Sequence, residues 1–146
     1  MQITTISSIF AAQPIDQTIT TNGWIRTYRR SKHVAFIELT DGTCSDGLQL
    51  VVDPNKEFFT AIEAKLATGA SISATGKLVN SQGKGQSIEV QVDSLCVYGE
   101  ADAEAYPLQK KGHTLEFLRE QMHLRPRTNT FGAVFRIRSA ASFIML

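Results

Sequence analysis

An all-β domain with minor helical content is the fold class this sequence predicts, and three observations predict it. Apolar residues recur at every second position over 35–40 (Ala-Phe-Ile-Glu-Leu-Thr) and 48–53 (Leu-Gln-Leu-Val-Val-Asp). An Asp/Gly/Ser-rich turn, 41–47, separates the two runs. Three more alternating segments flank them, with one helical pattern set in between. Successive strand residues point to opposite faces, so Ala35, Ile37 and Leu39 share one face with Leu48, Leu50 and Val52. The other face carries Phe36, Glu38 and Gln49. The strands alone leave two readings of Phe36. It is either a stacking surface among hydrogen-bonding side chains, or a ring buried under another element.

A chain of 146 residues fits one domain with an appendage, and 42% hydrophobic with 20% charged residues is an ordinary globular composition. The formal charge of +1 is unevenly spread. Four basic residues and no acid lie between Arg26 and Lys32, and seven basic residues between Ala105 and Arg138 face only Glu116 and Glu120. Local positive segments of this kind suit either a polyanion on one face or a solvated surface. Cys44 and Cys96 stand apart, without the spacing of a metal site or redox pair, and are expected to be reduced packing residues. Nothing at the N-terminus resembles a signal peptide and no long apolar segment occurs, so the expected location is cytoplasmic.

In chain order, Ile3, Ile6, Ile9 and Phe10 recur at roughly helical spacing before Pro14 interrupts them, which predicts a short lid or edge helix. The β-branched and aromatic run Thr18–Arg30 predicts a long first strand, bent at Gly23. Alternation would send Ile19, Thr21 and Ile25 inward and Trp24, Arg26 and Tyr28 outward. Arg26 and Arg29 are candidates for phosphate or base contacts. After the central pair of strands, Phe58, Phe59, Ile62 and Leu66 form one apolar stripe, predicting a helix over 56–67 with Gly69 as its stop. Alternation over 71–78 and 86–97 predicts two further strands joined by the flexible turn Ser81–Gly85.

Three strands, a helix and two strands is the order of the OB-fold, a five-stranded Greek-key barrel whose outer face binds oligonucleotides. On this model Arg26, Phe36, Glu38, Gln49, Glu89 and Gln91 collect on one face. A saccharide or protein partner stays open, since fold does not fix function. Residues 1–98 would form the barrel and 99–130 a hinge or linker, acidic and Ala-rich at first and then carrying a short helix capped by Thr114. From 131 to 146 a second helix presents Val134, Ile137, Ala141 and Ile144 on one apolar face, the mark of a missing partner or domain.

Residues 106–142 closely resemble the linker and first motif of asparaginyl-tRNA synthetases, and the run His-Leu-Arg-Pro-Arg-Thr-Asn-Thr-Phe-Gly-Ala-Val-Phe-Arg-Ile-Arg, 123–138, is highly specific to that family. The pieces Gly-Trp-Ile-Arg, Phe-Ile-Glu-Leu-Thr-Asp-Gly and Leu-Gln-Leu-Val-Val-Asp make 18–98 similar to the anticodon-binding domain of the aspartyl, asparaginyl and lysyl enzymes. The resemblance covers nearly the whole chain but only about the first third of a typical member. It implies that Phe36 stacks on the central anticodon uridine and that Gln49 hydrogen-bonds its edge. It further implies that Arg29 contacts the anticodon and that Glu89 helps read the loop at the first anticodon base. Arg26 is added on the face assignment alone. The resemblance also implies a parent that joins asparagine to tRNA(Asn) with ATP and Mg2+, and a homodimer built across the first-motif helix.

The ATP-contacting second and third motifs do not occur in this sequence, and no Ser/His/Asp arrangement, HExxH or P-loop replaces them. The chain is therefore expected to carry no catalytic residues, metal or cofactor, to bind the tRNA anticodon loop, and to self-associate through its last helix more weakly than an intact enzyme. A free-standing OB-fold protein for single-stranded nucleic acid is the alternative.

Overall fold

Half-buried alternation has one economical solution, which is to roll the sheet until every apolar face meets another. The computed structural model, which describes residues 3–81, 83, 85–102, 104–108 and 112–145, shows that solution. Gln82 and Lys84 of the predicted turn, Ala103 of the predicted linker, and Lys110 and Lys111 lie outside the described residues. Five strands, β1 (Thr18–Arg30), β2 (Ala35–Thr40), β3 (Leu48–Val52), β4 (Ser71–Asn80) and β5 (Ile88–Gly99), close in the order β1-β2-β3-β5-β4. Every pairing is antiparallel except that of β3 with β5. This is the OB-fold barrel that the order of elements predicts.

Register explains the core. Ala35 lies opposite Val52, Ile37 opposite Leu50 and Leu39 opposite Leu48, and all six side chains are fully buried. Cross-strand partners share a face, so one register places the whole apolar set inside. Ile72, Ala74 and Leu78 of β4, with Ile88, Val90 and Val92 of β5, complete the interior.

Two helices seal the barrel. In α1 (Ile6–Ala12), Ile6 and Ile9 are buried, and Thr5 caps the helix by accepting from the Ser8 amide. The Ile6 amide donates to Asp41 Oδ2 at 2.8 Å, tying α1 to the loop after β2. Between β3 and β4, α2 (Glu57–Ile62) buries Phe59, and a single 3-10 turn, Glu63–Lys65, delivers the buried Leu66. The predicted helix over 56–67 is thus shorter in the structure, because the chain tightens into that turn before Gly69 at φ +95°.

The sequence misassigns one stretch of β1. Ile25 lies opposite Leu39, but the next pair is Thr27 with Glu38, so Arg26 is an extra residue in a β-bulge. The bulge reverses the alternation beyond it. Tyr28, expected on the outer face with Trp24 and Arg26, pairs with Ile37 and packs against the core, while Thr27 and Arg29 move outside. Cys96 is also corrected: it is exposed rather than packed, whereas Cys44 does pack against the core, and both are free thiols.

The Tyr28 hydroxyl donates to Glu63 Oε1 at 2.9 Å, and Arg30 Nε meets the same oxygen at 3.0 Å. Burial, aided by the hydrogen bond to Glu63, pushes the Tyr28 phenol up to about 12 from 10.0. The folded chain therefore holds this proton more tightly than the unfolded one. Its contribution to stability is complete below pH 10.0 and disappears as pH rises through about 12. Ultraviolet titration should show one tyrosine ionising near that value, and Tyr28→Phe should remove that component of the titration.

The chain divides into two compact units, residues 1–106 and 107–146. Gly99, at the start of the expected linker, ends β5 opposite Ser71. In the second unit, α3 (Leu115–Glu120) is capped by Thr114, whose Oγ1 accepts from the Phe117 amide at 3.2 Å. A 3-10 turn at Arg125–Arg127 leads into α4 (Asn129–Ile144), and the Arg125 guanidinium lies 5.1 Å from the Phe131 ring centroid and 5.8 Å from that of Phe135.

Candidate nucleic-acid interface

The outer faces of β1, β2 and β3 form the floor of an open groove of about 520 Å³. Thr27, Arg29, Phe36, Glu38 and Gln49 come from the strands, and Phe10 of α1 adds an apolar wall. Asp46 and Gly47 line one rim, and Gly85, Gln86 and Ser87 of the β4–β5 connection line another.

Phe36 is half-buried, so its ring is neither a core residue nor a fully solvated one. Arg29 lies opposite it in register, with the guanidinium carbon 5.7 Å from the ring centroid. A flat cation beside an aromatic face is a surface on which a nucleobase can stack. The β1 bulge creates this pair, because unbroken alternation would have put Arg29 on the inner face.

Gln49 sits between Glu38 on β2 and Glu89 on β5. Its Nε2 donates to Glu89 Oε2 at 3.4 Å, and that same oxygen accepts from Ser81 Oγ at 2.7 Å and Gln86 Nε2 at 3.4 Å. Glu38 Oε2 accepts from Thr27 Oγ1 at 3.1 Å, and its Oε1 lies 3.7 Å from Arg26 Nη1. Arg26 Nη1 also donates to the Ser45 carbonyl at 3.4 Å. Gly47 packs against Glu38, and a Cβ there would stand 2.6 Å from Glu38 Oε1, so a larger residue would push the Glu38 side chain aside.

Of the five residues singled out in the sequence, Arg29, Phe36 and Gln49 line the groove. Glu89 lies behind Gln49 and Gln86 and is hydrogen-bonded to both. Arg26 is the bulged residue, bound to Glu38 and to the loop before β3. Phe10, Thr27, Ser81 and Gln86 escaped the sequence reading. A Phe within a short amphipathic helix looks like ordinary packing, Ser81 looks like solvated turn, and Thr27 and Gln86 look like ordinary strand residues. Among the described lining residues one cation, Arg29, accompanies two carboxylates, Glu38 and Asp46. The hydrogen-bonding side chains beside Phe36 suit a base with readable edges, and base edges are where sequence is read.

The barrel and this groove define a class. Residues 19–97 match the family of the OB-fold nucleic acid binding domain, and the chain belongs to that family. Its relatives include asparagine–tRNA ligases. The chain is 57% identical to that of Cytophaga hutchinsonii over 134 residues, which are 91% of this chain and 28% of the relative. It is 50% identical to that of Picosynechococcus over 137 residues, 94% of this chain and 30% of the relative. The chain thus spans less than a third of the length of these relatives. The structure of Entamoeba histolytica asparaginyl-tRNA synthetase in complex with asparaginyl-adenylate superposes with a TM-score of 0.76. The match covers 97% of this chain and 34% of that one at 24% identity, which shows the fold. An OBody bound to hen egg-white lysozyme shares the barrel at TM-score 0.55, with 61% of this chain and 86% of that one covered at 13% identity. The same barrel on a protein partner is a reminder that the groove, not the fold, has to carry the functional reading.

Proposed function

We propose that this chain is the anticodon-binding segment of an asparagine–tRNA ligase and that the groove takes the anticodon loop of tRNA(Asn). The observation that carries the reading is the outer-face set of Phe36 under Arg29 with Gln49 alongside. Single-stranded RNA is read in this way, by a base splayed onto an aromatic ring with its edge against hydrogen-bonding side chains. The strong likeness to asparagine–tRNA ligases supports the identity of the RNA. On this reading Phe36 stacks the central uridine, Gln49 meets its edge, Arg29 steadies the stack, and Glu89 and Arg26 act from the sides.

The parent reaction would take place in the cytoplasm and would draw on ATP and Mg2+ held elsewhere in the ligase. Among the described residues no three His, Cys, Asp or Glu side chains are grouped to hold a metal ion, and no helix is long and apolar enough to cross a membrane.

Fluorescence anisotropy with a labelled anticodon stem-loop carrying GUU tests the proposal. The loop should bind more tightly than one with a different central base. Equal binding to any unstructured strand would favour a free-standing single-strand binder instead. Gln49→Ala should narrow the preference for uridine over cytidine at the central position, because an edge contact discriminates more than it binds. Uniform loss of affinity with the preference intact would reduce Gln49 to a backbone contact.

Self-association belongs to the same proposal. Ile137 and Ile144 of α4 are 70% and 81% exposed, and Val134 lies on the same helix at 44%. Apolar surface left in water costs about 25 cal/mol per Å², so this face should pair weakly with a second copy. Sedimentation velocity should show concentration-dependent association that a chain ending at Gly99 lacks. Identical monomeric behaviour of the two would remove α4 as the cause.

A further inference from the structure

Glutamine can present its amide to a base in two ways, and they select opposite pyrimidines. With the carbonyl oxygen facing the N3 position and the NH2 facing the 4-position, it matches uracil, which offers an N3–H donor and an O4 acceptor. Turned over, the same amide matches cytosine, which offers an N3 acceptor and an N4–H2 donor. Stacking on Phe36 cannot decide between them, since every base has a π-face. Whatever fixes the turn of the Gln49 amide therefore fixes the base.

That device is visible behind the groove. Gln49 Nε2 donates to Glu89 Oε2 at 3.4 Å. The flipped amide would bring a carbonyl oxygen against that carboxylate, two acceptors with no proton between them. Glu89 can impose this only if its own oxygen is held in place, and two residues of the β4–β5 connection hold it. Ser81 Oγ donates to Oε2 at 2.7 Å and Gln86 Nε2 at 3.4 Å, while Gln86 Nε2 also reaches Ser81 Oγ at 3.1 Å. All four side chains are part-buried, where a mispaired polar atom is costly. We propose that Ser81, Gln86 and Glu89 are positioning residues that lock the Gln49 amide in one orientation, and that this lock makes the groove select uracil over cytosine. The inference rests on the reading of the groove as an anticodon site and adds to it the residues that set its selectivity.

The test has one arm without RNA and one with it. In the full chain, the Gln49 side-chain NH2 resonances should be well separated. In the Ser81→Ala/Gln86→Ala double variant they should collapse toward the values of a mobile glutamine, and Ser81→Thr, which keeps the hydroxyl, should leave them in place. Unchanged resonances in the double variant would overturn the lock. With stem-loops carrying U or C at the central position, the double variant should lose about five- to tenfold of the uracil preference, the scale of one re-paired hydrogen bond. Part of that loss should appear as tighter binding of the cytosine loop than the parent shows, a gain that mere loosening of the barrel would not produce. A preference unchanged despite mobile Gln49 resonances would overturn the link to selectivity. A parent chain that shows no preference between the two loops would overturn the anticodon reading itself, and this inference with it.

Discussion

Phe36→Ala is expected to weaken binding of the anticodon stem-loop by about 1–3 kcal/mol, the usual worth of a base–aromatic stack. The ring lies on the outer face of β2, between Arg29 across one strand boundary and Val51 across the other. It is half-buried, while its neighbours Ala35 and Ile37 are fully enclosed. Removing it should therefore leave the barrel intact, with a thermal transition close to that of the parent. Arg29 would also lose the face beside which it lies, so Arg29→Ala in the Phe36→Ala background should cost less than it does alone. Isothermal titration of the two single variants and the double variant measures this directly. A Phe36→Ala chain that unfolds would place the ring in the core, and one that binds as well as the parent would remove it from the site.

Phe59→Ala should have the larger effect, on stability rather than binding. Phe59 is fully buried and is among the largest enclosed side chains of the molecule. Its helix, α2, is only 6 residues long and has no side-chain N-cap, so packing rather than propensity holds it in place. Deleting a buried phenyl ring costs about 3–5 kcal/mol through lost transfer energy and the cavity left behind. That is a large share of the roughly 5–15 kcal/mol that stabilises an ordinary domain. The adjacent Phe58 is only partly buried, with Lys56 Nζ 5.8 Å from its ring centroid. Phe58→Ala should therefore cost much less. Urea denaturation of the two variants side by side would show the contrast, and equal losses would contradict the assignment of Phe59 to the barrel core.

The sequence alone determined the barrel. The apolar residues at every second position of β2 and β3 leave one register that buries Ala35, Ile37 and Leu39 against Val52, Leu50 and Leu48, and a slip of one residue would expose all six. The same alternation puts Phe36 and Gln49 outside together, so the centre of the groove is legible in the sequence. Tertiary structure decided the rest. The extra residue Arg26 in β1 leaves no mark on composition or periodicity, because a bulge is set by how two strands close a curved sheet. Yet that bulge carries Arg29 to Phe36 and turns Tyr28 inward toward Glu63. The OB-fold order puts Glu89 on the face of Gln49, but their contact comes from the parallel pairing of β3 with β5, between residues 40 positions apart. Ser81 looks like a turn residue and Gln86 like the first residue of a strand, although β5 begins at Ile88, because a hydroxyl or an amide acquires a role only from the acceptor it reaches. Local pattern fixes which face a side chain occupies, and long-range pairing fixes what it meets there.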